Sequence, residues 1–231
     1  MDIMKSSTTS LYESLLDDEE DLINNNSIEE HLLKKWFEEN VQPDTGMFGK
    51  DLVINIDNRD VTVIGNIMMG EKCDFRAPIL KKFNFKKLEG SLHLFSIPKK
   101  KIFWLPQEVT GEVYINACGF EELPKLIDVN HVEISYCHKL KTLKGLPDKI
   151  DTLHISCCNK FESLEGCPKE INKSLTISYC DKLMSVDSFP KKVSYFSVHN
   201  WHDNILRKLE KSFRDQGYFN RVTRKYNFTN C

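Results

Sequence analysis

Glycine is scarce in this chain, with 10 residues in 231, and none of them forms a phosphate-cradling loop. No C-x-x-C or H-x-x-x-H pair occurs, so the spacings that most often hold a structural zinc are missing. No apolar run approaches the roughly 18 residues that a membrane span needs. The start, MDIMKSSTTSLYESLLDDEEDL, lacks the basic-then-apolar order of a secretory signal. These absences set an expectation of a cytoplasmic chain with no membrane attachment, no metal and no cofactor.

Cysteine, by contrast, is present in 8 copies, which in a small secreted domain would mean a disulfide framework. Here the spacing suggests another use. Cys118, Cys137, Cys158 and Cys180 lie 19, 21 and 22 residues apart, and each closes the same short string: VYINAC, VEISYC, LHISCC and LTISYC. A period near twenty residues is the mark of a solenoid, in which each unit buries its apolar edge against the next.

After the last three of these cysteines, apolar residues recur at every third position and end in proline. They are Leu140, Leu143, Leu146 and Pro147; Phe161, Leu164, Cys167 and Pro168; and Leu183, Val186, Phe189 and Pro190. The L-x-I segment alternates as a half-buried strand does, while the three-residue spacing suits turns or a 3₁₀-like return. Weaker copies extend the array. Pro190, Val193, Phe196 and Val198 keep the register and put Trp201 in the cysteine slot. Upstream, Leu92, Leu94 and Ile97 follow Phe85-Lys-Lys-Leu88-Glu-Gly, which echoes Phe161-Glu-Ser-Leu164-Glu-Gly. About six turns are expected, the first two irregular.

The unit resembles the leucine-rich repeat, with cysteine in the slot that Asn or Cys takes in that family. The string from Lys160 to Ile171, KFESLEGCPKEI, is similar to the short degenerate repeats of tailed-bacteriophage proteins. The resemblance covers about residues 85–201 and implies a binding scaffold. Its departures, frequent Ile, Val or Phe for Leu and unequal unit lengths, imply an uneven solenoid. The fold expected is α+β: a short irregular leucine-rich-repeat-like β-solenoid with helical caps at both ends.

Three regions follow: an acidic helical cap over residues 1–48, a strand lead-in and solenoid over 49–201, and a helical cap with a basic tail over 202–231. Residues 1–45 carry a net charge of −9 and the remainder +7, against −2 for the whole. A first helix would carry Leu11, Leu15 and Leu16 into Asp17, Asp18, Glu19, Glu20 and Asp21. Ser27 and Glu30 form a capping box after the turn-like Asn24, Asn25 and Asn26, opening a helix whose stripe is Ile28, Leu32, Leu33, Trp36 and Phe37. A turn is expected from Pro43 to Gly46, and strands at 52–56 and 61–64, either as a hairpin or as the first turns of the array. Asp203 can cap a closing helix with Ile205, Leu206, Leu209 and Phe213 on one face, ending near Gly217. The structure of the tail with Arg221, Arg224 and Lys225 is left open.

With Leu and Ile inward, the alternate residues line the outer sheet face. The residues expected to bind a partner protein are Tyr114, Glu133, Tyr136, His154, Cys157, Thr176, Tyr179 and His199. The blander alternative is a solvated hydroxyl ladder of Ser135, Ser156 and Ser178. The repeat cysteines are expected to be reduced, inward and packed as small hydrophobes. Cys157 should face outward among the tyrosines.

Cys157 with His154 makes a poor nucleophile pair, because three positions along an ideal strand put them on opposite faces. Bacterial effector ubiquitin ligases have similar proline-punctuated repeats, but about 30 residues after Trp201 leave no room for their catalytic domain. The expectation is therefore a non-enzymatic scaffold, a phage accessory protein that binds and modulates a bacterial host protein, such as a defence component. The alternatives are an effector-like or Cys-dependent hydrolase or transferase, and an acidic nucleic-acid mimic acting through residues 17–21. Direct nucleic-acid binding by the tail runs against the acidic front and a pI of 6.4.

Overall fold

The computed structural model describes residues 22–43, 52–98, 104–200, 207, 210–211, 214–215, 217 and 222–230. Its elements are a helix α1 (Leu22–Asn40) and thirteen strands. The strands are β1 (Gln42–Pro43), β2 (Val53–Asp57), β3 (Asp60–Ile64), β4 (Ile67–Met69), β5 (Asn84–Glu89), β6 (Leu92–Phe95) and β7 (Glu108–Val109), then β8 (Glu112–Asn116), β9 (His131–Ser135), β10 (Lys149–Ser156), β11 (Glu170–Ser178), β12 (Lys192–Asn200) and β13 (Val222–Asn230). A 3₁₀ segment, Pro78–Lys82, precedes β5.

Nine strands form one sheet in the order β1-β4-β6-β8-β9-β10-β11-β12-β13. From β4 onward every pairing is parallel, and only β1 runs antiparallel at the edge. A second sheet of four strands, β2-β3-β5-β7, backs the first rungs. The chain is thus a β-solenoid of about six turns, mostly strand, with one helix near the N-terminal end.

The repeat strings fall where alternation put them. Leu92 and Leu94, Val113 and Ile115, Val132 and Ile134, Leu153 and Ile155, Leu175 and Ile177, and Phe196 and Val198 are all buried. The three-residue spacing that follows makes turns, not a 3₁₀ helix. Leu140 N–H donates to Cys137 O and Leu146 N–H to Leu143 O, at 3.0 and 3.2 Å, and the next two returns repeat the pattern. Gly166 permits it: its φ is +82°, and an added Cβ would lie 2.4 Å from the backbone nitrogen of Lys144 on the preceding rung.

Two sequence readings change, and two that were left open are resolved. The Phe85-Lys-Lys-Leu88 segment is not a return like its echo at Phe161; it is β5, because β3 offers it an edge to pair with. In the later rungs this second sheet shrinks to isolated bridges, such as Ser163 with Ser185. The strands at the start form a hairpin, β2–β3, and β3 also joins the solenoid through β5.

The helix, expected to open at Ser27, begins at Leu22 and runs through Asn24, Asn25 and Asn26, so the capping box lies inside it. Tertiary contacts outweigh the local signal: Arg59 donates to Asn26 Oδ1 at 3.2 Å and pairs with Glu29, while Lys82 reaches Glu29 at 2.9 Å. The stripe itself is as read, with Leu32, Leu33, Trp36 and Phe37 buried and Ile28 packed at the margin. Trp36 and Phe37 meet Trp104 at ring-centroid distances of 5.5 and 5.6 Å, and Phe37 meets Phe85 at 5.9 Å.

At the other end, the basic tail is strand β13, which pairs in parallel with β12 and extends the sheet. Arg207, Glu210, Lys211, Arg214 and Asp215 are helical, and Gly217 follows at φ +67° with its N–H on Arg214 O. The apolar face expected at Ile205, Leu206, Leu209 and Phe213 lies outside the described residues. So do Leu11, Leu15, Leu16, Trp201, Asp203, Arg221 and the turn after Pro43.

Candidate functional site

Because neighbouring strands pair residue for residue, the outward side chains fall into straight rows. One runs His93, Tyr114, Glu133, His154, Thr176 and Ser197, and the next Phe95, Asn116, Ser135, Ser156, Ser178 and His199. Successive rungs are spaced at about 4.8 Å. Tyr114, Glu133, His154, Thr176 and His199 are each half-buried, as flat neighbours on a sheet face are. Tyr114 donates to Glu112 and its ring lies 4.4 Å from that of His93.

The hydroxyl ladder is largely closed to solvent. Ser135 and Ser178 are buried, Ser156 is half-buried, and Asn116 Nδ2 donates to Ser135 Oγ at 2.8 Å. These hydroxyls form the middle of the second row.

A third column lies where the strands end, and its backbone was not anticipated. Ser96, Ala117, Tyr136, Cys157 and Tyr179 all have φ between +51° and +55°, the left-handed region. Each N–H is donated one rung onward: Ser96 to Asn116 O, Ala117 to Ser135 O, Tyr136 to Ser156 O, Cys157 to Ser178 O and Tyr179 to His199 O, at 2.8–3.1 Å. The signal was present in the spacing. In V-E-I-S-Y-C the cysteine stands three places after the inward Ile, so strict alternation would turn it outward; a left-handed residue between them restores it to the core.

This column carries the side chains expected at the binding surface. Tyr136 is 53% exposed, with its ring edge-on to His138 at 6.3 Å, and Cys157 and Tyr179 are half-buried. Cys157 therefore stands in line between two tyrosines, as half-buried as the outward strand residues beside it.

Behind it, Cys118, Cys137, Cys158 and Cys180 are buried and free. Each sulfur also lies within hydrogen-bond distance of a backbone carbonyl: Cys118 of Asn116 O at 3.4 Å, Cys137 of Ile115 O at 3.6 Å, Cys158 of Ser156 O at 3.3 Å and Cys180 of Ser178 O at 3.4 Å. Contact with Cys137, together with burial, holds the thiols of Cys118 and Cys158 well above the ordinary range. Packing against the core raises the thiol of Cys167 as well, though that residue is only half-buried. Cys137, which accepts from both neighbours, is drawn the other way. Among the described residues no group of three or more His, Cys, Asp or Glu side chains is placed to hold a metal ion.

Two further features escaped the sequence reading. An open apolar pocket of about 520 Å³, lined by Phe75, Arg76, Ala77, Leu80, Lys81 and Trp104, lies beside the 3₁₀ segment, away from the sheet face. Lys139, Lys160 and Lys182 are exposed at equivalent points of three successive returns. The repeated C-x-K-L/F string would have shown the second; the first brings together residues too far apart in sequence to be seen. The proposed docking residues Asp17, Asp18, Glu19, Glu20 and Asp21 lie outside the described residues.

No family model, curated protein or solved structure matches the chain. Among the described residues no helix is long and apolar enough to cross a membrane.

Proposed function

We propose that this chain is a non-enzymatic, leucine-rich-repeat-like scaffold that binds another protein through the outer sheet face and the tyrosine-bearing column at its edge. What supports the reading is the column itself. Tyr136, Cys157 and Tyr179 occupy left-handed positions, where Gly or Asn costs the backbone least. Large amphipathic rings there, one of them 53% exposed, are the kind of side chain that anchors protein interfaces. The parallel register holds them on a rigid platform, so little ordering is required on binding.

The partner proposed is a bacterial host protein, such as a component of defence, with this chain acting in the host cytoplasm as a phage accessory protein. The likeness of the KFESLEGCPKEI string to phage repeats carries that part. Affinity capture from infected cells tests it: a host protein retained by the parent and lost from Tyr136→Ala/Tyr179→Ala supports it, and recovery of phage structural proteins alone sinks it. Truncating both rings should weaken the complex by about 2 kcal/mol or more, roughly 30-fold in Kd.

A further inference from the structure

Three successive returns open with the same turn. Cys137-His-Lys-Leu140, Cys158-Asn-Lys-Phe161 and Cys180-Asp-Lys-Leu183 are each closed by a hydrogen bond from the last N–H to the cysteine carbonyl, at 3.0, 3.0 and 3.1 Å. Identical turns on strands in register project identical positions side by side. Lys139, Lys160 and Lys182 therefore leave the backbone one rung apart, about 4.8 Å, and all three are exposed.

Elsewhere on the array, several lysines are matched with acids of a neighbouring rung. Lys141 pairs with Glu121 at 3.7 Å, Lys144 with Glu165 at 3.0 Å and Glu122 at 3.7 Å, Lys169 with Asp148 at 2.6 Å, and Lys173 with Asp151 at 2.9 Å. Among the described residues, no carboxylate lies within ion-pair distance of Lys139, Lys160 or Lys182. Three like charges are thus stacked on one edge, beside Tyr136 with His138 and beside Tyr179. Asp181 stands next to Lys182, so the positive charge is densest over the first two rungs.

We infer that this lysine row, with Tyr136 and Tyr179, is the docking site for an acidic helix of the partner protein. The inference rests on the protein-binding reading above and adds the chemistry of what is bound. Spacing favours a helix over a strand. Carboxylates three or four positions apart on one helix face follow one another at about 5–6 Å, close to the rung repeat. Same-face residues of an extended chain recur at about 6.8 Å and fall out of step by the third lysine. The tyrosine rings would receive the apolar flank of such a helix while their hydroxyls stay wet.

The test uses the full chain and a labelled amphipathic helical peptide with glutamate at every fourth position and leucine on the flank. A sequence-scrambled peptide and a single-stranded oligonucleotide of matched charge serve as comparison probes. Fluorescence anisotropy at low salt should show the helical peptide binding, and the affinity should fall as salt is raised. Lys139→Glu/Lys160→Glu should lose at least tenfold, and Lys139→Ala/Lys160→Ala should lose less. Both variants should keep the parent circular dichroism and melting temperature, because these side chains hold no other group.

Unchanged peptide affinity in the charge-reversed variant overturns the inference. Stronger binding of the oligonucleotide than of the peptide, lost in the same variant, overturns it in favour of a nucleic acid. If a captured partner is lost by the tyrosine variant but kept by the lysine variant, the row is refuted and the scaffold reading stands. If both variants keep the partner, both fail.

Discussion

Around β3 to β7 the core lies between two sheets and a helix and is centred on a cluster of rings, whereas from β9 to β12 it lies behind one sheet and is filled mainly with thiols and aliphatic side chains, with Phe161, Phe189 and Phe196 among them. The first half joins residues that are distant in the chain: Trp36, Phe37, Phe85 and Trp104 meet in one cluster, and Glu29 is bound by Arg59 and Lys82. In the second half each rung touches mainly the rung before and the rung after. Contacts of the first kind should be lost together, while those of the second should be lost rung by rung.

The sharpest way to break the comparison is Phe37→Ala. Phe37 is 1% exposed and edge-on to three other rings, so its removal should cost about 3–5 kcal/mol. The denaturation curve should split, with the aromatic half unfolding first and the thiols still protected from alkylation. A single transition followed by both probes would show that the halves are coupled.

Glu29→Gln should cost less, about 2 kcal/mol. The carboxylate is nearly buried, at 6% side-chain exposure, but Arg59 and Lys82 are 41% and 39% exposed, so water recovers part of the loss. The urea midpoint checks this, and a variant as stable as the parent would remove the ion pairs as the reason α1 runs on past its capping box.

The thiol rungs show no such loss at neutral pH; theirs appears only as pH rises. The thiols of Cys118 and Cys158 are raised in the folded chain. Below the ordinary thiol range, about pH 8.5, these two thiols are protonated in both states and their own contribution is fully present. Above it only the unfolded chain releases the proton, so stability should fall by up to about 1.4 kcal/mol per pH unit for each such thiol. Urea midpoints between about pH 8 and 9.5 measure the slope, and Cys118→Ala/Cys158→Ala should flatten it. A slope unchanged in that variant would place the effect elsewhere.

The second half was more legible in the sequence than the first, for the same reason. A rung that contacts its neighbours must repeat their pattern, so VEISYC, LHISCC and LTISYC declare the strand, the inward thiol and the turn at once. The aromatic half has no such redundancy. Phe85 and Leu88 looked like a return because their string matches Phe161 and Leu164, and only the presence of β3 makes them a strand. Strand β13 was hidden in the same way: Val222, Tyr226 and Phe228 align with Val193, Phe196 and Val198, yet the tail carries no repeat string, and the exposed edge of β12 supplies its register. The left-handed column was masked by its own residues, since Tyr and Cys do not advertise a positive φ as Gly or Asn would.

The forward-reaching N–H groups of that column have a consequence for how such a chain changes length. Because each unit hands the same donor to the next at the same point, removing or duplicating a whole unit, from one thiol to the one after it, keeps this hydrogen bond in place, although the ion pairs of Lys141 and Lys144 with the flanking rungs change with it. The segment between Cys137 and Cys158 is in this sense a cassette. Its loss would bring Tyr136 and Tyr179 onto adjacent rungs, so the separation of the two rings is set by a count of units and changes only in whole steps.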